Sequence, residues 1–130
     1  EAAQLVRAAG RDALGICFDT AHAALNGEDP GEALAEAVDA VEVFHFCNCV
    51  TDPAHDLFGD NHMPFGPPGW LDETAMAGIM GRGRAAGFWT SGRRPPTFCE
   101  MRLPPGMAPE NLLERCRDML MAAWAASFRA

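Results

Sequence analysis

Lysine is absent from this chain of 130 residues, and all ten basic residues are arginines. Eighteen acidic residues outnumber them, so the formal net charge is −8 at pH 7. Proteins that bind duplex DNA usually carry a basic surface, because contacts with phosphates supply much of the affinity. The composition therefore argues against nucleic acid as a partner and favours a small-molecule substrate.

Long apolar runs and targeting signals are also lacking. No stretch is long enough to span a bilayer, and the first residues lack the basic start and apolar block of a signal peptide. The five cysteines are an odd number, and their spacings indicate no disulfide framework. These features predict a cytoplasmic protein without a membrane partner, whose cysteines are mostly small buried apolar groups.

Three units repeat the order strand then helix. The strands are predicted at residues 13–19, 43–48 and 97–101. Such alternation indicates an α/β fold with a parallel sheet, which is either open and doubly wound or closed as an eight-stranded barrel. A complete barrel takes roughly 250 residues. Residues 1–130 are therefore expected to form one partial domain, a C-terminal portion with about three strand–helix units.

Aspartate and proline mark where the helices begin. Helices are predicted after Asp29, after Asp72 and from near Pro109, because Asp is a good N-cap and Pro suits the first helical position. Residues 1–9 resemble the end of an earlier helix, and residues 49–71 an irregular connection. The apolar faces of the three helices are predicted to contain Leu34, Ala37, Val38 and Val41, then Ala75, Met76, Ile79 and Met80, then Leu112, Leu113, Cys116, Leu120 and Trp124.

Polar residues stand at or near the end of each predicted strand. Asp19 and His22 close the first strand, His45 lies between two phenylalanines of the second, and Glu100 lies in the third. An aspartate here can be only a helix cap, and a histidine only a packed or surface group. A buried histidine or glutamate, however, is costly unless it is paired or coordinated. Because the C-terminal ends of parallel strands meet, these residues predict a divalent metal site.

The ligand types narrow the choice of metal without deciding it. A mixture of carboxylate and imidazole suits Mn²⁺, Co²⁺, Zn²⁺ or Fe²⁺, whereas Mg²⁺ prefers oxygen ligands alone. The identity of the divalent metal therefore stays open.

The connection after the second strand holds another pair of candidate ligands. Asp60 and His62 are two residues apart and suit binding of one cation or contact with a substrate, although a polar turn with Asp60 in an Asx-turn is the alternative. Phe65 and Trp70, in the same Pro-rich connection, are expected to contact a substrate. Arg102, after the third strand, is expected to meet an anionic group of the substrate.

Several other residues are predicted to have no part in the site. Cys47 and Cys49 share the strand face of His45 by the period of two, but no second cysteine pair has zinc-knuckle spacing, so buried packing is predicted. Arg93 and Arg94 precede the third strand and are expected to be solvated at the opposite end of the sheet. Solvated loop positions are likewise expected for His55 and Asp56.

The pattern as a whole resembles the xylose-isomerase-like TIM-barrel superfamily, which contains sugar isomerases and epimerases and also endonuclease IV. The motifs that carry the resemblance are Gly15-Ile16-Cys17-Phe18-Asp19-Thr20-Ala21-His22, Phe44-His45-Phe46 with Asn48, Asp60-Asn61-His62 with Gly66, and Phe98-Cys99-Glu100. They cover essentially the whole chain as the last three strand–helix units of the barrel.

The resemblance implies roles for the candidate residues. Asp19, His45 and Glu100 are similar to three of the four ligands of the shared metal, and the fourth, a glutamate on the preceding strand, lies outside this chain. Glu100 is implied to be general acid/base as well, and His22 a substrate contact or second-site ligand. In the same comparison, Asp60 and His62 look like the third-metal ligands of endonuclease IV.

Three functions follow as expectations. The first is a metal-dependent isomerase or epimerase of a sugar or similar polyhydroxylated compound, in which an enediolate is stabilised as a C–H proton moves. The second is an endonuclease-IV-like phosphodiesterase. The third is a binding module without catalysis, because the barrel is incomplete. Association into a homo-oligomer is a further expectation.

Overall fold

Parallel strands form the centre of the fold, and helices pack beside them. The computed structural model describes residues 1–10 and 13–129. In chain order the elements are α1 Ala2–Ala9, β1 Ile16–Asp19, α2 Thr20–Leu25, α3 Pro30–Ala37, β2 Val41–Val50, β3 Gly59–Met63, α4 Glu73–Ala85, β4 Thr97–Glu100 and α5 Pro109–Ala126. The predicted alternation of strands and helices is confirmed.

Strand β2 lies between β1 and β4 and is parallel to both. Its register places Asp19 of β1 opposite His45, and Glu100 of β4 opposite Cys47. The C-terminal ends of the three parallel strands therefore meet at one edge of the sheet. This edge is where sites lie in parallel barrels.

The connection predicted as irregular contains a strand instead. Strand β2 continues to Val50, and β3 returns beside it in the antiparallel direction, with Asn48 opposite Met63. The sequence of β3, from Gly59 to Met63, has polar residues at its centre and shows no alternation of apolar side chains. Periodicity therefore gave no signal for this strand.

The beginnings of all three predicted helices are confirmed, with Pro109 as the first residue of α5, whereas the short helix α2 was not predicted. Asp29 and Asp72 cap α3 and α4, as expected from the sequence. Helix α2 begins directly after Asp19, whose Oδ1 accepts hydrogen bonds from the N–H groups of Ala21 and His22 at 2.7 and 3.2 Å. Its six residues are too few for a helical period to be recognised.

The predicted helix faces are correct except at two positions. Met76, Ile79 and Met80 of α4 are buried as predicted. Val41 is buried but belongs to β2, because α3 already ends at Ala37. Leu113 of α5 is 68% exposed, since this side of the helix faces away from the core that covers its neighbour Leu112.

Strand β4 is more exposed than its apolar composition suggests. Glu100 was predicted in a buried strand, yet its side chain is 46% exposed, and Phe98 is 53% exposed. In the described residues β4 pairs with β2 alone, so its second edge carries no neighbouring strand. Cys17 of β1 is exposed as well.

Arg93 lies at the N-terminal end of the strands as predicted, but the prediction that it is solvated was wrong. Its guanidinium donates hydrogen bonds to the backbone carbonyls of Val38 and Val41 and lies 5.0 Å from the ring centre of Phe88. Arg93 thus closes the turn between α3 and β2, whereas Arg94 is exposed as expected.

Among the described helices, none combines the length and apolar character needed to cross a membrane.

Candidate metal centre

The structure brings Asp19, His45 and Glu100 together at the ends of the parallel strands. One potential ligand atom from each residue lies within 4.8 Å of the other two. The shortest contact joins His45 Nδ1 to Glu100 Oε2 at 2.6 Å. This cluster, which we call the strand-end cluster, combines two carboxylates and one imidazole.

Local structure holds each of these side chains in place. Asp19 is both the last residue of β1 and the N-cap of α2, so its role as a helix cap is confirmed and its role as a metal ligand stays a prediction. Its Oδ1 is used by the cap, which fixes the plane of the carboxylate. The ring of His45 packs edge-on against Phe98, with centres 5.6 Å apart, and its Nδ1 points to Glu100.

The donor set of the strand-end cluster fits a divalent transition-metal ion. Imidazole nitrogen and carboxylate oxygen bind such ions at about 2.0–2.2 Å, which places neighbouring ligand atoms about 3 Å apart. The contact of 2.6 Å between His45 and Glu100 needs only a small side-chain displacement to reach that separation. Because Glu100 is half exposed, the cluster is open to a substrate.

A second group of polar side chains lies next to the first. Asp60 Oδ2 is 3.2 Å from His22 Nε2 and 3.3 Å from His62 Nε2. Nδ1 of His62 is in turn 3.5 Å from Glu100 Oε1. Asp60 belongs to β3, so the alternative prediction of a polar turn at this residue was wrong. Glu100 therefore stands between the two groups.

Cys47, which the sequence predicts to be packed in the core, also lies beside the second group of polar side chains. Its Sγ lies 3.1 Å from Nδ1 of His62. The side chain is fully buried as predicted, and this burial raises the pKa of its thiol, with a further contribution from the charges of Asp19, Asp60 and Glu100. The spacing of two from His45 places both side chains on one strand face, but the contact with His62 depends on the pairing of β3 with β2.

Its neighbour Cys49 fits the prediction of packing. The Cys49 side chain is fully buried in a small cluster with Ala21, and its Sγ lies 3.8 Å from the carbonyl oxygen of that residue. Burial raises the pKa of the Cys49 thiol also. His55 and Asp56 are exposed in the connection, as expected.

The three expected substrate contacts occupy different environments. Phe65 is 6% exposed and belongs to the hydrophobic core, so it offers almost no surface to a substrate. Trp70 is half buried and packs against Cys47 and Cys49. Arg102 is exposed, and its backbone N–H donates to the carbonyl oxygen of His62 at 2.6 Å.

Parallel strands with clustered metal-type ligands at their C-terminal ends define part of a TIM barrel. The family model of the xylose isomerase-like TIM barrel matches residues 1–111, and the chain therefore belongs to this family. The family includes isomerases, epimerases and relatives of endonuclease IV. Neither the curated proteins nor the solved structures compared with the chain gave a match.

Proposed function

We propose that the chain carries part of the active site of a metal-dependent isomerase or epimerase acting on a sugar or similar polyhydroxylated compound. The observation that supports this proposal is the strand-end cluster, in which Asp19, His45 and Glu100 converge beside an open surface. Family membership supports the reaction class only in a general way, because the family contains several kinds of enzyme.

Each residue of the cluster has a defined task in this proposal. Asp19, His45 and Glu100 would hold the divalent cation, and the cation would supply Lewis-acid stabilisation of negative charge on adjacent substrate oxygens. Glu100 also moves the proton of the reacting C–H group as general acid/base, since its half-exposed carboxylate can reach a bound substrate. In the metal-free chain, the contact between His45 Nδ1 and Glu100 Oε2 orients that carboxylate.

The surroundings of the cluster support a neutral or weakly charged substrate. The carboxylates of Asp19, Asp60 and Glu100 lie close together, and they repel a compound with many negative charges. Trp70, packed on the strand that carries His45, supplies an aromatic surface suited to the apolar face of a sugar. Arg102, which is exposed after β4, would meet a single anionic group of the substrate.

Metal content measured by mass spectrometry tests the proposed ligands. Asp19→Ala, His45→Ala and Glu100→Ala are each expected to lower the bound metal per chain, because each removes one of three donors. Asp72→Ala is the matched control, since Asp72 caps α4 as Asp19 caps α2 but lies outside the cluster. Wild-type metal content in all three folded variants would show that the ligand assignment is wrong.

A phosphodiesterase of the endonuclease IV type is the second candidate. The contacts of Asp60 with His22 and His62 favour it, because the resemblance assigns Asp60 and His62 to a third metal in that enzyme. We nevertheless predict no useful affinity for duplex DNA with an abasic site, since the net charge is −8 and lysine is absent. Tight, salt-sensitive binding or cleavage in a low-salt titration would reverse the order of the two candidates.

A further inference from the structure

A cavity of about 830 Å³ lies between the end of α4, the turn that follows it and the end of α5. Its lining contains three arginines and, among the residues that the structure describes, no acidic side chain; the arginines are Arg84, Arg93 and Arg94. The aromatic part of the lining consists of Trp89, Trp124 and Phe128. We call this space the arginine cavity, and we propose that it binds a small phosphate ester that carries a planar aromatic group.

The arginine cavity lies at the opposite end of the sheet from the strand-end cluster. Arg93 contacts the carbonyl oxygen of Val41, where β2 begins, and Pro95 of the lining lies two residues before β4. The strand-end cluster is at the C-terminal ends of the same strands. The proposed site is therefore separate from the candidate metal centre, and it does not depend on the isomerase proposal.

The arginines of the cavity differ from others in the chain because they lack a carboxylate partner. Arg7, Arg82 and Arg117 each form an ion pair with an aspartate. None of the three guanidinium groups of the arginine cavity has an ion pair with another described residue. In a chain of net charge −8, this group of uncompensated cations attracts an anion locally. A phosphate fits best, because the guanidinium fork binds its oxygens in pairs.

Backbone contacts hold two of the three guanidinium groups in place without neutralising them. Arg84 Nη1 donates to the carbonyl oxygen of Ser127 at 3.1 Å, and Arg84 Cζ lies 3.5 Å from the ring centre of Phe128. Arg93 donates through both terminal nitrogens to backbone carbonyls at the turn between α3 and β2. Because a guanidinium group has five N–H donors, both arginines keep donors for a ligand. Side chains fixed in this way lose less conformational freedom on binding.

Arg94 supplies an accessible charge, and the aromatic residues supply surface for a planar ring. The Arg94 side chain is exposed and makes no hydrogen bond with another described residue. Trp89 Nε1 donates to Thr97 Oγ1 at 3.0 Å, which fixes the indole. Trp124 and Phe128 pack edge to face, with ring centres 5.2 Å apart, and Phe128 is 58% exposed. Aromatic walls with a few convergent polar groups are typical of small-molecule sites.

Isothermal titration calorimetry of the whole chain tests the proposal, with adenosine monophosphate and phenyl phosphate as probes. The buffer contains EDTA, so that neither probe can bind through a metal ion. We expect both probes to bind, and adenosine and inorganic phosphate to bind at least about tenfold more weakly, because each lacks one of the two recognised groups. Absence of binding by both probes, or equal affinity for adenosine monophosphate and either of its parts, would overturn the proposal.

Arg94→Gln locates the site within the chain. It is expected to weaken the binding of adenosine monophosphate by at least about tenfold, the effect of losing a hydrogen bond between charged groups. Arg115→Gln is the matched control, because Arg115 is an exposed arginine of α5 outside the cavity, and it keeps the wild-type affinity. Glu100→Ala keeps it also, since Glu100 belongs to the strand-end cluster. Equal affinities of Arg94→Gln and Arg115→Gln, or loss of binding in folded Glu100→Ala, would contradict the assignment.

Discussion

Asn48 is the polar residue on which the geometry around the candidate centre depends most. Its side chain is fully buried, and Nδ2 donates to the carbonyl oxygens of Pro64 and Gly66, at 2.7 and 2.9 Å. Oδ1 accepts a hydrogen bond from the N–H of Leu71 at 2.8 Å. A Cβ at Gly69 would lie 2.3 Å from this amide, so the backbone there must approach closely. Asn48 thus fastens the connection after β3 to the end of β2.

We predict that Asn48→Ala lowers the free energy of unfolding by at least about 2 kcal/mol, because it leaves several buried backbone groups without partners. Asn61→Ala is the control. Its side chain makes a single exposed hydrogen bond, to the carbonyl oxygen of Leu57, and its loss should cost under about 1 kcal/mol. Urea unfolding of both variants measures the difference. Equal stability of the two would show that the Asn48 network contributes little.

Two glycines of helix α4, Gly78 and Gly83, differ in how closely other residues pack against them. At Gly83 an added Cβ would lie 2.7 Å from Trp89 Cζ3 and 2.9 Å from Leu34 Cδ2, so glycine permits close packing on α3. At Gly78 no atom of the described part of the chain lies within 4 Å of such a Cβ. Helix propensity alone counts a glycine only as weakening, whereas Gly83 is required by its neighbours.

Alanine substitutions in α4 are therefore predicted to have opposite effects. Gly78→Ala should raise the free energy of unfolding by about 0.5–1 kcal/mol, because alanine loses less backbone freedom in a helix. Gly83→Ala should lower it by about 1–3 kcal/mol through overpacking against Trp89 and Leu34. Thermal unfolding of both variants tests this prediction. A change of the melting temperature in the same direction for both variants would contradict the packing described for Gly83.

The molecule as a whole leaves apolar surface and strand edges open. In the described residues β1 and β4 each pair with β2 only, so both present an unpaired edge. An apolar groove between β4 and α5 is lined by Met101, Leu113 and Met121, of which Leu113 is 68% exposed. Unpaired edges and exposed apolar patches both favour association.

We predict that the 130-residue chain by itself self-associates or is only marginally stable. Light scattering should show particles larger than a monomer, and replacing Leu113 and Met121 together by glutamine should reduce their size. Leu57→Gln is the control, because Leu57 is also exposed but lies in the loop before β3. A monodisperse monomer with a cooperative thermal transition would contradict this expectation.

The sequence by itself determined the order of the three parallel strands and of helices α3, α4 and α5, but not the presence of α2 and β3. It also indicated most candidate residues of the site. Asp29 and Asp72 mark helix starts through local hydrogen bonds, which depend only on neighbouring residues. Apolar runs ending in Asp19 or holding His45 and Glu100 indicate strands with polar ends. Such signals act over a few residues, so they can be recognised without knowledge of the fold.

Only the tertiary structure decided which of those residues meet and how exposed they are. The antiparallel pairing of β3 with β2 brings His62 into contact with Cys47. The local sequence of β3 has no pattern that predicts this pairing. The half-exposed state of Glu100 likewise depends on which strands flank β4. Contacts of this kind join residues far apart in the chain, and they are selected by strand register and packing of the complete fold rather than by local preference.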